Sequence, residues 1–331
     1  MRRPRARALL AGLLAASLAG CGEDGDGQFI EGRPGGPYRM TLATTPTVPR
    51  AGEPTELRWR LTHAHDGSPL TGLQVAHERV VHNFIVARDF SAFAHIHHED
   101  FGPLEDEELR GGRFTLRYTF PHAGYYRVVS DFTHRDRNWV KHFDLAVGPA
   151  PTAPPPAPTA DLTRQRTVDG FSATLDSSPA TPVAGHETEL VVTLARGDAP
   201  VTDLALHLGS ETHVAVWRED GAHFGHTHSY TPRVAAMIAA MHDRALDAET
   251  RARTMAEMMV KLACMKAEQV FTGPRVPVHY VFPEPGVYHL FFELAPGGVT
   301  RVFHFALAVE AYQPGMDTEL RSMVAPALPQ P

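Results

Sequence analysis

Six histidines stand at one spacing in two places. His82, His95 and His97 read His, twelve residues, His, one residue, His, within "VHNFIVARDFSAFAHIH". His213, His226 and His228 repeat the pattern 131 positions later, within "THVAVWREDGAHFGHTH". Neutral imidazole is a good nitrogen donor for copper or zinc, and three of them form a ligand set with one position left open. A buried structural role would instead require a hydrogen-bond partner for every ring nitrogen, which is hard to arrange for three clustered rings. Solvated His would need nothing. The doubling of the pattern favours metal binding, with copper ahead of zinc.

The elements that must position these rings are β-hairpins. In the second copy Asp220-Gly221 is a preferred two-residue hairpin loop. That loop sets His213 opposite His228, with His226 two residues along on the same face. In the first copy the same count sets His82 opposite His97 with His95 beside them. Its turn, Asp89-Phe90, suits a tight loop less well and allows a longer, bulged one.

Other residues are weaker candidates. Asp131 and Glu293 align at an offset of 162. Each reads as a carboxylate ligand, an orienter of a ligating ring, or a solvated strand residue, with the last as the default. His142 and His304 align at the same offset and are secondary, because the last strand of a sandwich is not usually next to the hairpin. "HERVVH", from His77 to His82, is one residue too long for the zinc-protease motif and lies in a strand context, so it is set aside. Met255, Met259 and Cys264 carry soft donors that favour Cu(I). Met237/Met241 and Met255/Met259 nevertheless have the helical spacing of a packing seam, and that reading is preferred.

The chain has 331 residues, enough for two domains, with ordinary apolar (43%) and charged (21%) content. Residues 1–20 hold four Arg followed by an apolar run too short to span a bilayer, as in a secretory signal. The segment ends Leu18-Ala19-Gly20-Cys21 and resembles a bacterial lipobox. That resemblance implies cleavage before Cys21, its acylation (palmitate among the chains), and a lipid-anchored protein of the outer membrane or cell envelope. Loss of the four Arg would take the net charge from −7 to −11, which argues against nucleic acid as a partner. Residues 21–37 read as a tether, 149–167 as a Pro/Ala-rich extended linker, and 311–331 as a tail.

Between these lie two repeats, 38–148 and 168–310. "AGEPTELRWRL" matches "AGHETELVVTL", the His segments match without a gap, "FPHAGYYRV" matches "FPEPGVYHL", and "HFDLAV" matches "HFALAV". Each repeat is a series of short alternating or apolar runs separated by turns, which predicts strands. Phe-Pro-x-x-Gly-x-Tyr, ending at Tyr126 and Tyr288, resembles the tyrosine corner of immunoglobulin-like sandwiches. The expectation is an all-β chain of two tandem antiparallel sandwiches. The second would carry an inserted helical hairpin at 231–272, opened by Thr231-Pro232.

The segment "HERVVHNFIVARDFSAFAHIHHE" also resembles bacterial secreted and lipoprotein β-sandwich domains of the YtkA-like, FixH-like and CopC-like kind. His82, Asp89, Phe93, His95, His97, Phe120, Gly124, Tyr126, Asp131 and Phe132 carry the likeness. The second copy follows at His213, Asp220, Phe224, His226, His228, Phe282, Gly286 and Tyr288, with Glu293-Leu294 in place of Asp-Phe. The resemblance implies a metal-related role at the envelope. The expected function is non-enzymatic: copper (or zinc) storage, delivery or tolerance, with a metal-transfer partner in the envelope. Two other readings stand beside it: an adhesion or scaffold lipoprotein, and a metal-dependent hydrolase with three His ligands.

Overall fold

The computed structural model describes residues 30–32, 36–149, 159–229, 271–314 and 316. The signal segment, Cys21, the helical hairpin expected at 231–272, and Met255, Met259 and Cys264 lie outside the described residues.

In the first copy, β1 (Ile30–Glu31), β2 (Tyr38–Thr45), β3 (Pro54–His63) and β7 (Arg113–Thr119) form one sheet in that order. The second sheet runs β4 (Leu73–Gln74), β8 (Gly124–His134), β5 (Val81–Ala87), β6 (Phe93–Ile96), with β9 (Arg137–Val147) also paired to β8. The second copy repeats this. β10 (Gln165–Val168), β11 (Phe171–Ser178) and β12 (Glu187–Arg196) form one sheet with β13 (Ala199–Pro200) and β17 (Arg275–Val281). β14 (Leu204–Ala205), β18 (Gly286–Pro296), β15 (Thr212–Arg218) and β16 (Phe224–His228) form the other, with β19 (Arg301–Val309) on β18. Every strand pairing is antiparallel, and the two units are immunoglobulin-like sandwiches in tandem. Two boundaries move. β1 lies in the expected tether and pairs with β2, and β10 begins at Gln165, inside the expected linker.

Alternation explains the outer sheets. In β3, Leu57, Trp59 and Leu61 are buried, while the intervening Arg58 and Arg60 are not. Both corner tyrosines behave as their motif predicts. Tyr126 Oη–H donates to the His122 carbonyl at 2.9 Å, and Tyr288 Oη–H to the Glu284 carbonyl at 2.8 Å.

The inner strands do not alternate, and the reason is tertiary. All seven residues of β5 are buried. Val81, Ile85 and Ala87 fill the core of their own sandwich, whereas Phe84 and Val86 belong to a third cluster with Phe90, Val129, Ala215, Trp217 and Phe291. That cluster draws on both copies. The two sandwiches therefore pack face to face through their His-bearing sheets, with pseudo-twofold correspondence.

Each hairpin loop reaches onto the other sheet. The Phe90 ring stacks on His289 at 3.7 Å, and Phe93 stacks on Phe291 at 4.3 Å. On the matching side, Arg127 Nη2–H donates to the Asp220 carbonyl at 2.7 Å. A β-carbon on Gly221 would collide with the Arg127 guanidinium, and Gly221 has φ +74°. Glycine is required there twice over, for its backbone and for its bareness. Gly197 has φ +59° with nothing within 4 Å of a built β-carbon. Gly197→Ala should therefore lose only the left-handed backbone term, about 1 kcal/mol. Gly221→Ala should lose about 1–3 kcal/mol more from overpacking at the interface. Urea unfolding midpoints at unchanged slope measure both.

Candidate metal centre

The hairpins carry the expected register on an unexpected loop. β15 and β16 pair His213 with His228 and Ala215 with His226. β5 and β6 pair Asn83 with Ile96 and Phe84 with His95, which puts His82 level with His97. The two-residue loop expected at Asp220-Gly221 does not form. Arg218 N–H donates to the His223 carbonyl and Ala87 N–H to the Ala92 carbonyl, so residues 219–222 and 88–91 span the turns. Asp220 keeps a negative φ, and its carboxylate accepts the Ala222 N–H at 2.9 Å; Asp89 does the same for Ser91 at 3.1 Å. Only the third loop residue is left-handed, Phe90 (φ +60°) or Gly221. Both loop lengths give the same strand pairing, so the facing of the rings survives.

In the first copy three ring nitrogens converge. His82 Nδ1, His95 Nε2 and His97 Nε2 are each 3.0 Å from the other two. The opposite nitrogen of each ring faces an oxygen. His82 Nε2–H donates to the Ala76 carbonyl at 2.9 Å, which can only accept. His97 Nδ1–H donates to Asp100 Oδ2 at 2.9 Å. Although burial alone would raise Asp100, hydrogen bonding and charge from His97 bring it down to about 2, so it is a carboxylate. His95 Nδ1 lies 2.5 Å from Glu293 Oε2, on the other sandwich. Burial pushes the Glu293 carboxyl well above its ordinary range. A protonated Glu293 would shift the His95 proton to Nε2 and satisfy one inward contact. No assignment of neutral rings places a proton between His82 Nδ1 and His97 Nε2. Burial holds the His82 ring well below its usual pKa, so it stays neutral. With both rings neutral, two bare lone pairs face each other at hydrogen-bond distance in a buried site. A cation resolves that conflict. The centre of such a triangle is about 1.7 Å from each nitrogen, and an ion displaced about 1 Å along its axis reaches the ~2.0–2.1 Å of a metal–imidazole bond.

The second copy repeats the logic. His213 Nε2–H donates to the His207 carbonyl at 3.1 Å, leaving Nδ1 bare. His226 Nδ1–H donates at 3.0 Å to Asp131 Oδ2 of the first sandwich. Burial would raise Asp131, but the His226 hydrogen bond together with charge from His226, His82 and His77 lowers the carboxyl overall. The two bare nitrogens, His213 Nδ1 and His226 Nε2, are 3.1 Å apart. The His228 ring is 4.4 Å from both of theirs, and its buried Nε2 has no hydrogen-bond partner. A fourth ring joins them. His77 stacks on His228 at 3.6 Å, and ligand atoms of His77, His213 and His228 lie within 4.8 Å of one another.

Sequence reasoning set His77 aside, and no local signal could have recovered it. The residue stands in a left-handed turn (φ +45°) of the first copy and crosses to the second, and its counterpart 131 positions on is Leu208 (φ +49°). Asp100 was also missed; Thr231 stands at its counterpart position. Asp131 and Glu293 depart from the solvated default: they are 4% and 5% exposed, and each orients a ring of the opposite sandwich. His142 and His304 join neither cluster, because β9 and β19 pair on the far edge of β8 and β18. His304 Nε2 instead lies 2.9 Å from His289 Nδ1, and its ring stacks on Phe291.

Both sandwiches match a family model described as "Domain of unknown function (DUF8832)", over residues 34–148 and again over 166–311. The chain belongs to this family. Two separate matches agree with the duplication read from the sequence. No curated protein matches the chain. Among solved structures, it is similar to a mutant Salmonella alpha-2-macroglobulin (14% identity, 85% of this chain, 15% of that one, TM-score 0.25). It is also similar to the Yersinia pseudotuberculosis adhesin InvE (13% identity, 81% and 58%, TM-score 0.19). A third is the Escherichia coli adhesin FdeC (12% identity, 82% and 63%, TM-score 0.20). The chain spans less than two thirds of the length of each. Among the described residues, no helix is long and apolar enough to cross a membrane.

The buried rings make stability depend on pH. Burial and the neighbouring His304 push His289 down to about 3, and burial with Arg166 pushes His304 to about 4. These values lie below the roughly 6.5 of an unfolded chain, so on acidification the unfolded state takes up protons first. The metal-free protein should lose stability steadily between about pH 6.5 and about pH 3. The double variant His289→Gln, His304→Gln should show a shallower loss, read from urea unfolding at several pH values.

Proposed function

We propose that the protein is a non-enzymatic, envelope-anchored metal-binding lipoprotein of the DUF8832 family that holds copper, or zinc in its place. The carrying observation is the convergence of imidazole nitrogens in each copy, 3.0 Å apart in the first and 3.1 Å in the second. His82, His95 and His97 would hold one ion. His213, His226 and His228, with His77 beside them, would hold the other. Copper(II) is favoured because it binds nitrogen donors most tightly among the first-row divalent ions. The oriented second nitrogens, held by Ala76, Asp100, His207 and Asp131, favour ligation by fixing each ring's tautomer and raising its basicity. Residues 1–21 support anchoring of the chain through an acylated Cys21. Burial of both clusters suits storage or delivery to an envelope partner better than turnover of an organic substrate. A pure spacer would have no use for the clash of lone pairs.

Protein lacking residues 1–21 should take up about two Cu(II) per chain in the low micromolar range, seen by metal analysis after dialysis. Loading should raise the unfolding free energy by about 2.7 kcal/mol per site at a hundredfold excess over Kd. Changing all six triad His to Ala should abolish uptake. A wild-type chain that remains metal-free would overturn the reading.

A further inference from the structure

The two triads are not separate sites at the ends of two domains. Within a triad, ring centroids are 5.3 Å apart for His82 and His95 and 5.4 Å for His213 and His226. Between triads the separations are the same: 5.3 Å from His82 to His226, 5.4 Å from His95 to His226, and 5.6 Å from His95 to His213. Each set is also completed by the opposite sandwich. Glu293 lies across β15 from His213 yet bonds His95, and Asp131 lies across β5 from His82 yet bonds His226. His77 crosses in the same way. Neither copy alone contains a finished site.

We infer that the two triads form one binuclear centre at the sandwich interface, in which each ion depends on residues of both copies. This rests on the metal-binding reading above. Two dications in adjoining buried triads repel strongly. Glu293 and Asp131 are the buried carboxyl groups that reach across the interface to these rings, one from each sandwich. The centre therefore acts as a clasp: filling it ties together two faces that otherwise meet through aromatic packing.

Copper alone is the probe, with the full mature chain. At one Cu(II) per chain the electron paramagnetic resonance spectrum should be that of an isolated ion. At two it should show dipolar splitting and a half-field transition, or lose intensity through antiferromagnetic coupling. Glu293→Gln and Asp131→Asn should each weaken the second equivalent at least tenfold while retaining the first. The wild-type spectrum decides the matter even if a variant fails to fold. Two bound ions with additive, uncoupled signals would overturn the binuclear centre and leave the metal-binding reading standing. Saturation at one ion would also overturn it, and no uptake would remove the underlying reading itself.

Discussion

Imidazole nitrogens that face each other across 3.0 Å while the second nitrogen of each ring points to an outward acceptor are the constraint on which this molecule turns. In water such an arrangement would be cheap, because solvent would donate to each lone pair. Inside a protein it is costly, since every nearby donor is already committed. Here the surroundings commit the donors outward: a turn carbonyl takes one ring's N–H and a carboxylate takes the next. The same device recurs in both copies from different residues, Ala76 and Asp100 in the first and His207 and Asp131 in the second. The shared result in each copy is a pair of ring nitrogens turned toward each other, 3.0 Å apart in the first and 3.1 Å in the second.

That constraint explains the burial pattern of the inner sheets. A sandwich needs only one face of each sheet to be apolar. β5 and β15 are buried on both faces because the second face is covered by the other sandwich. Aromatic residues near the hairpin turns seal the interface, and the His clusters lie within it. The strained left-handed Phe90 is explained by the His289 ring on which it stacks. Glycine at the matching position makes room for Arg127, so pseudo-symmetry is kept in the backbone and broken in the side chains.

Gene duplication with face-to-face packing also accounts for the pairing of roles along β8 and β18. Asp131 and Glu293 keep their carboxyls although their C-terminal neighbours differ, Phe132 in one copy and Leu294 in the other. Those neighbours point into each sandwich's own core, where Phe and Leu both fit. The carboxyls point across the interface, each to a ring of the opposite sandwich that it orients.

Much of this was legible in the residues themselves. The repeats, the all-β class, the tyrosine corners and the hairpin register follow from local rules, because strand alternation and turn chemistry act over a few residues. The six triad histidines could be named for the same reason: a hairpin brings its own strands together. The tertiary structure alone decided that Asp131, Glu293 and His77 reach the His clusters, that His142 and His304 do not, and that two triads are neighbours. Those facts depend on how two folded surfaces meet across a linker. Their contacts join residues from about 95 to 198 positions apart, a relation that no periodicity in the chain encodes.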